Sequence, residues 1–414
     1  MMKVLHLNLS GPKGGASIGA QRLHRSLAEA GVESRFMGAL APGTAGDSMR
    51  SWRKPTFAET MLGKITWRMG LNSIHAFGTR SLLRDPWFLW ADVVHLHNLH
   101  GEPFSYLTLP ALAKRKPLVW TLHDMWTITG HCGFSLGCDR WRTGCGRCPH
   151  LDVYPYAARD ATRWEWKLKR NAIGRALPVL AAPSRWLCGL AEQAFPGLAP
   201  VHHIPYGVDT GLFRPASSIE ARETLGLPKD RVVLLSAASD LTEQRKGGHL
   251  LAEALRKLSP AALQKIVVLT LGDDSNPLLV QLRALGIQVF PQGYVTSRER
   301  QALVYSAADL LLFPSMDDNL PIVVLEALAC GLPVLAFSVG GLPELIVSSA
   351  HGKVISTFDI PAYTAAMEYA IHIWDGVPDS RVSLLPVSSE PGNEAASYLS
   401  VYRQVLAGRS LSKD

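Results

Sequence analysis

Short apolar runs of strand length alternate with longer helical patterns along the whole chain, and this alternation most constrains the fold. The clearest runs are KVLHLNL, ADVVHLH, RVVLLSAAS, KIVVLTLGD and DLLLFPS. Strands that are apolar on both faces are typical of parallel sheets covered by helices on both sides. We therefore predict an α/β protein with two doubly wound parallel sheets.

The chain is long enough for two domains. Its 414 residues exceed the usual size of a single hydrophobic core. A segment rich in proline and glycine, His202–Gly226, interrupts the pattern and marks a linker. We predict a first Rossmann-like domain over 1–204 and a second over 205–392. The last helical pattern, 393–414, is detached from the second sheet, and we predict that it packs back on the first domain.

Composition and charge limit the class of protein. Apolar residues make up 47% of the chain and charged residues 19%, which excludes disorder. The apolar runs are too short for a membrane span or a secretory signal, so we expect a cytoplasmic protein. Residues 1–200 hold 25 Lys/Arg and 13 Asp/Glu (25 − 13 = +12), whereas residues 201–414 hold 17 and 22 (17 − 22 = −5).

The basic first half indicates an anionic partner. Nucleic acid is disfavoured because the chain has no aromatic RNA-binding motif. An anionic membrane surface is the alternative, and it would place the protein at the inner face of the plasma membrane. Residues 51–90 carry four tryptophans among Lys and Arg, which is compatible with a membrane interface or with helices that cover a sheet. They are Trp52, Trp67, Trp87 and Trp90.

The segment SMDDNLPIVVLEALACGLPVLAF, Ser315–Phe337, predicts a loop, a helix over 320–330 and a strand over 333–337. Pro321 fits the first turn of that helix, with Asp318 or Asn319 as the N-cap. A helix N-terminus presents free N–H groups and suits a phosphate.

Glu326 lies about two turns into this helix among Val, Leu and Ala. An ionised carboxylate there is costly without partners, and ribose hydroxyls would be such partners. The alternative is that Asp318 only caps the helix and Glu326 faces solvent.

The same region resembles the nucleotide-sugar site of the retaining glycosyltransferases of family four, which have the GT-B fold of two Rossmann-like domains facing across a cleft. The resemblance is carried by DDNLPIVVLEALACGLPVLAFSVGGLPELI, YSAADLLLFPS, IPYGVDTGLF and RKGGHLL. It implies that Glu326 binds the ribose and that Lys246 binds the diphosphate. The loop residues implied in donor binding are Asn319, Leu320 and Pro321.

Two positions depart from the family pattern. Asp318 stands where the commoner residue is Glu, and the arginine that precedes the Lys-Gly pair is absent. Arg245 is the candidate replacement because its guanidinium can grip phosphate oxygens in a bidentate manner.

In the first half, Gly14, Gly15 and Ala16 follow the first strand and resemble the family's loop near the donor phosphates. His123 in TLHDMW matches a family histidine beside the donor sugar, and we take it with its neighbour Asp124 as a catalytic candidate. The alternative is a core histidine with satisfied hydrogen bonds.

Two further clusters could bind metal. His95, His97 and His100 either bind a metal or, as the family resemblance implies, belong to a strand end that lines the cleft. Four cysteines within 17 residues either hold a structural zinc or stay reduced and pack a loop. They are Cys132, Cys138, Cys145 and Cys148. The sequence around them resembles that of a bacterial subgroup of the family. This subgroup is associated with exopolysaccharide and colanic-acid-type assembly.

The resemblance implies a retaining hexosyltransferase. We expect it to be metal-independent, because the chain has no Asp-x-Asp motif for a donor-bound metal. The donor is expected to be a UDP- or GDP-sugar. The acceptor is expected to be a glycan or a polyprenyl-linked glycan of a cell-surface polysaccharide, either exopolysaccharide or lipopolysaccharide. Two alternatives are a nucleotide-sugar epimerase of the same fold and a non-catalytic nucleotide-sugar-binding protein.

Overall fold

The structure is a computed structural model that describes residues 1–11, 14–40, 43–100, 103–238, 243–273, 277–378 and 380–411. The chain forms two compact units. The first comprises Met1–Gly207 together with the final segment from Gly392, and the second comprises Val208–Pro391. Each unit is built on one parallel sheet.

The first unit contains a seven-stranded sheet in the order β3-β2-β1-β4-β5-β6-β7, and every pair in it is parallel. Its strands are β1 (Lys3–Asn8), β2 (Glu33–Gly38), β3 (Met49–Ser51), β4 (Val93–Leu96), β5 (Leu118–Thr121), β6 (Val179–Ala182) and β7 (His202–His203). Its helices are α1 (Gly15–Glu29), α2 (Phe57–Arg68), α3 (Pro86–Trp90), α4 (Leu109–Arg115), α5 (Thr162–Ala176) and α6 (Arg185–Ala194).

The second unit contains a six-stranded parallel sheet in the order β10-β9-β8-β11-β12-β13. Its strands are β8 (Val232–Ala237), β9 (Ile266–Leu271), β10 (Gln288–Pro291), β11 (Leu310–Phe313), β12 (Val334–Phe337) and β13 (Gly352–Ile355). Its helices are α7 (Ser218–Leu225), α8 (Gly248–Arg256), α9 (Pro260–Lys265), α10 (Pro277–Ala284), α11 (Arg298–Ala307), α12 (Ile322–Ala329), α13 (Leu342–Leu345) and α14 (Ile360–His372).

Both sheets reverse their strand order at one point, between β1 and β4 in the first unit and between β8 and β11 in the second. In open sheets of this kind, ligands bind beyond the carboxyl ends of the strands at the reversal point. The loops that follow these four strands are therefore where functional residues are expected. The predicted α/β class with two doubly wound parallel sheets is confirmed.

The final helix, α15 (Pro391–Leu411), packs on the sheet of the first unit. Its buried tyrosines, Tyr398 and Tyr402, lie in an apolar cluster with Val4, Val93 and Val119, which belong to the three central strands. A second cluster covers the opposite face of this sheet. Within the described part of the chain, none of the helices combines the length and the apolar character needed to cross a bilayer.

Candidate active site

The loop between β11 and α12 contains the first group of predicted site residues. Helix α12 begins at Ile322 and ends at Ala329, so the predicted helix over 320–330 is too long at both ends. The predicted N-cap role of Asp318 or Asn319 is wrong, because Pro321 occupies the N-cap position. The side chain of Asp318 forms ion pairs and does not cap the helix.

Two glycines let other segments approach this loop closely. Gly340 has a φ of +54°, and a Cβ on it would lie 1.6 Å from the backbone oxygen of Asp318. Gly247 has a φ of +72°, and a Cβ there would lie 1.9 Å from the oxygen of Pro314. Any side chain at either position would displace the loop. The sequences VGG and RKGG therefore shape the loop that holds Asp318.

Asp318 lies between two cations that follow β8. Lys246 Nζ donates to Asp318 Oδ2 at 2.8 Å, and Arg245 Nη1 lies 3.3 Å from the same oxygen. Burial acts to raise the pKa of Asp318, but Lys246 and Arg245 together hold it below its usual value. Burial and the adjacent Arg245 lower the pKa of Lys246. The carboxylate is ionised at neutral pH, and it neutralises the lysine predicted to bind a diphosphate.

The guanidinium of Arg245 is bound to its own surroundings. Its Nε and Nη2 donate to the two carboxylate oxygens of Glu243 at 2.8 and 3.1 Å, and Nη1 donates to the backbone oxygen of Asp317 at 2.8 Å. To bind a phosphate in a bidentate manner, Arg245 would have to release its two hydrogen bonds to Glu243. The role of Arg245 as a substitute for the family arginine stays a prediction.

Glu326 lies inside α12 and is 4% exposed, so the alternative in which it faces solvent is wrong. The hydroxyl of Tyr305, on α11, donates to Glu326 Oε2 at 3.1 Å. Helix α12 thus holds a buried carboxyl group in an apolar setting, where its oxygen atoms need hydrogen-bond partners.

In the first unit, the loops after β4 and β5 bring His97 and His123 together. His97 Nδ1 and His123 Nε2 are 2.9 Å apart, and His123 Nδ1 is 2.5 Å from the hydroxyl of Tyr206. His97 Nε2 in turn lies 3.0 Å from Nδ1 of His6, on β1. Burial lowers the pKa of His123 to about 4, so the imidazole is neutral at pH 7.

Asp124 is buried beside this chain of histidines. It accepts hydrogen bonds from His100 Nε2 at 2.9 Å and Asn98 Nδ2 at 3.1 Å, and from the backbone N–H of Trp126 at 2.8 Å. Burial acts to raise the pKa of Asp124, but the neighbouring His100 contributes most to holding it below its usual value. Asp124 therefore anchors the loops after β4 and β5 to each other.

Comparison with known proteins gives the family. Residues 13–212 match the family described as Glycosyltransferase Family 4, and residues 217–381 match the family described as Glycosyl transferases group 1. D-inositol 3-phosphate glycosyltransferase from Xylanimonas cellulosilytica is 30% identical over 314 residues, which are 70% of this chain and 72% of that protein. The chain belongs to glycosyltransferase family 4.

One further relative agrees with this assignment, and one solved structure agrees with the fold. WcaC of Escherichia coli (strain K12), a glycosyl transferase that its name assigns to colanic acid biosynthesis, is 28% identical over 379 residues, 87% of this chain and 88% of that protein. The crystal structure of Anabaena Alr3699/HepE in complex with UDP-glucose aligns with a TM-score of 0.64 and 17% identity over 100% of both chains, which supports the GT-B fold. WcaC and the D-inositol 3-phosphate glycosyltransferase are named as transferases, so they do not favour an epimerase or a non-catalytic binding protein.

Several predicted residues of this family 4 chain can now be located. Gly14 is the N-cap of α1, which begins at Gly15 and continues through Ala16, directly beyond β1. A Cβ on Gly14 or Gly15 would meet no atom within 4 Å. Leu320, like Asn319, is buried in the loop before α12.

The structure does not bring His100 together with His95 and His97, as the metal-binding alternative requires. Among the described residues, the set with three or more candidate metal-ligating atoms within 4.8 Å of one another is His6, His95 and His97. His100 is not in it, because it pairs with Asp124. His95 already bonds Tyr402 and Thr121 through its two ring nitrogens, at 2.6 and 2.7 Å. His6 was missed by the sequence reasoning, although the pairing of β1 with β4 places it opposite His95.

The four cysteines of the predicted zinc loop line one cavity of about 20 Å³. The backbone N–H of Gly130 donates to Cys145 Sγ at 3.2 Å, and Cys148 Sγ lies 3.3 Å from His131 Nε2. Burial raises the pKa of Cys132 to about 12 and that of Cys145 to about 11. The four cysteines therefore share one cavity, but no three of their sulfur atoms come within 4.8 Å of one another.

Proposed function

We propose that this family 4 enzyme transfers a hexose, with retention of configuration, from a UDP- or GDP-sugar to a glycan or lipid-linked acceptor of a cell-surface polysaccharide. The observation that carries the proposal is the pairing of Lys246 with Asp318 at the reversal point of the second sheet, next to the helix that buries Glu326. A cation and a buried carboxylate at that point suit a diphosphate and a ribose. The binding of UDP-glucose by HepE and the assignment of WcaC to colanic acid support the donor and the pathway.

In the proposed reaction, the bond between the sugar C1 and the leaving phosphate oxygen breaks, and a bond from C1 to the acceptor oxygen forms on the same face. The acceptor's proton passes to an oxygen of the leaving diphosphate. Lys246 neutralises the charge that develops on the diphosphate, with backbone N–H groups of the loop before α12. Glu326 accepts hydrogen bonds from the ribose hydroxyls. The proposal needs no metal on the donor, because the lysine supplies the positive charge.

The roles of the first unit are also proposals. His123 and Asp124 lie at the carboxyl end of β5, where an acceptor or the donor sugar would contact a protein of this fold. Gly14, Gly15 and Ala16 lie beyond β1, where their lack of bulk leaves room for a ligand. In the second unit, the loop before α12 is proposed to bind the donor through Asn319, Leu320 and Pro321.

We further propose that the cysteine loop binds one structural zinc ion. The backbone turns tightly around Cys145 and just before Cys148. Four consecutive residues there, Gly144, Cys145, Gly146 and Arg147, have positive φ values of 115°, 55°, 85° and 49°. Zinc would require the four sulfur atoms to move to about 2.3 Å from the metal. The buried ammonium of Lys169, whose charge acts on Cys132 and Cys145, would offset the charge of the thiolates.

The membrane partner and the location complete the proposal. The first 200 residues carry a net charge of +12 (25 − 13), and a lipid-linked acceptor would be reached from the cytoplasmic face of an anionic membrane. We therefore infer that the enzyme works in the cytoplasm at the inner face of the plasma membrane.

Donor turnover tests the proposal. The protein is incubated with UDP- and GDP-hexoses, and the release of nucleotide and the anomer of the released sugar are followed by NMR. We expect slow hydrolysis of one donor class, with the donor's anomeric configuration in the first product. Glu326→Gln should reduce this rate by about 100-fold or more, since hydrogen bonds that align the donor are lost. Glu253→Gln, an exposed carboxylate of α8, is the matched control. Equal rates for Glu326→Gln and wild type would refute the site.

A further inference from the structure

Helix α2 presents its apolar residues to solvent and buries two polar residues against the protein. Its buried residues are Glu59 and Thr66. Four apolar residues at intervals of four, which lie on one face of a helix, are 82, 44, 54 and 53% exposed. We call them the apolar stripe: Phe57, Met61, Ile65 and, directly after the helix, Met69. A helix that covers a hydrophobic core shows the opposite arrangement.

The two buried residues of α2, Glu59 and Thr66, form hydrogen bonds that fix the orientation of the helix, with the apolar stripe facing outward. The Glu59 carboxylate receives both Nη atoms of Arg53 and the backbone N–H groups of Thr56 and Gly78. Although burial opposes it, the hydrogen bonds from Arg53 and the backbone lower the pKa of Glu59 to about 2. Thr66 Oγ1 lies 3.2 Å from His75 Nδ1. Rotating the helix to bury the stripe would break these bonds.

A cavity of about 450 Å³ lies along α2 and combines cations with aromatic and amide groups. Its lining includes Lys64, Trp67, Arg68, Asn72 and His75. None of the ion pairs between described residues involves Lys64 or Arg68. Burial lowers the pKa of His75, so the two exposed cations supply the positive charge.

The position and charge of this cavity suit an acceptor. Pro103, which also lines it, belongs to the loop after β4, at the edge of the sheet where ligands bind in this fold. The segment 53–84 holds six Lys/Arg and one Asp/Glu. A cationic cavity next to an exposed apolar stripe matches a molecule with an anionic head and a hydrocarbon chain.

We propose that this cavity binds the diphosphate head of a lipid-linked acceptor while the apolar stripe inserts into the surface of an anionic bilayer. The inference rests on the proposed function, because it assigns the acceptor of that reaction to a place on the first unit. Lys64 and Arg68 contact the phosphates, Trp67 lies at the level of the lipid head groups, and the stripe enters the acyl region.

Vesicle sedimentation tests the inference. The protein is mixed with vesicles of phosphatidylcholine and phosphatidylglycerol, with or without a polyprenyl diphosphate. We expect the double variant Met61→Ser, Ile65→Ser to lose vesicle binding by at least about tenfold, because less apolar surface enters the bilayer. Lys64→Ala with Arg68→Ala should remove the preference for vesicles that carry the polyprenyl diphosphate. Val280→Ser, 68% exposed on α10 of the second unit, is the control and should bind as wild type does.

Three outcomes would overturn the inference: vesicle binding by the stripe variant equal to wild type, an unchanged polyprenyl diphosphate preference in the cation variant, or binding of inorganic diphosphate as tight as that of the lipid-linked form. UDP binding by calorimetry on the same proteins separates this inference from the proposed function. We expect every variant to bind UDP as wild type does. A wild-type protein that binds no nucleotide would refute the proposed function instead.

Discussion

At the scale of single residues, the charge balance around Lys246 determines how the donor is bound. Arg245 and Lys246 supply two positive charges, and Glu243 and Asp318 supply two negative charges within hydrogen-bond distance of them. A diphosphate that approaches Lys246 therefore competes with the carboxylate of Asp318. Asp318 has a shorter side chain than the Glu that is more common in the family. This length affects donor binding because the carboxylate contacts Lys246 directly.

Asp318→Asn is expected to increase the affinity for UDP or GDP. The substitution removes one negative charge 2.8 Å from Lys246 Nζ, so the ammonium becomes available to the diphosphate. We expect the dissociation constant measured by calorimetry to fall by about tenfold, equivalent to about 1.4 kcal/mol. Asp230→Asn, at an exposed site before β8, should leave the affinity unchanged. Weaker nucleotide binding by Asp318→Asn would mean that Asp318 helps to hold the donor.

The same variant should reveal the ionic state of Asp318 through the pH dependence of stability. Because its pKa is lower in the folded protein than in the unfolded chain, the carboxylate stabilises the fold at pH values above the unfolded pKa. This contribution is lost as the pH falls through the folded pKa. Chemical unfolding of wild type and Asp318→Asn should therefore differ most at neutral pH and converge in acid. A difference that grows in acid would contradict the assignment.

At the scale of elements, the sequence predicted α12 and β12 to within about two residues, because Pro321 and Gly331 mark the helix ends. It could not predict what Asp318 contacts, since Lys246 is 72 positions away along the chain. Local pattern favoured a cap, whereas tertiary structure brought two cations to the same carboxylate. The histidine cluster could not be predicted for the same reason. The register between β1 and β4 places His6 beside His95, and this register cannot be seen in the sequence.

The cysteine loop provides a prediction for a whole element. We expect one zinc per chain by elemental analysis, and a lower melting temperature after chelation, because metal binding is coupled to the folding of such loops. Cys145→Ser with Cys148→Ser should lose the metal. A chain purified in the presence of zinc that contains none, or a double variant that retains it, would show that the cysteines only pack the loop.

At the scale of the whole molecule, the alternation of apolar runs and helical patterns was sufficient to predict two parallel sheets. Helix α15 is amphipathic in a way that the sequence shows only weakly, since Tyr398 and Tyr402 bury their rings and bond Thr121 and His95. The sequence could not distinguish the exposed Trp67 from the buried Trp52 either. Trp52 is 8% exposed and donates to the oxygen of Pro103, whereas Trp67 is 49% exposed.

The central claim is that the second unit binds the donor's diphosphate through Lys246. Calorimetric titration of UDP and GDP into wild type and Lys246→Ala at neutral pH tests it most directly, with Lys257→Ala, an exposed lysine at the end of α8, as the control. We predict that wild type and control bind one of the two nucleotides equally well and that Lys246→Ala binds it at least about tenfold more weakly. Equal affinity for wild type and Lys246→Ala, or no binding of either nucleotide by wild type, would contradict the claim.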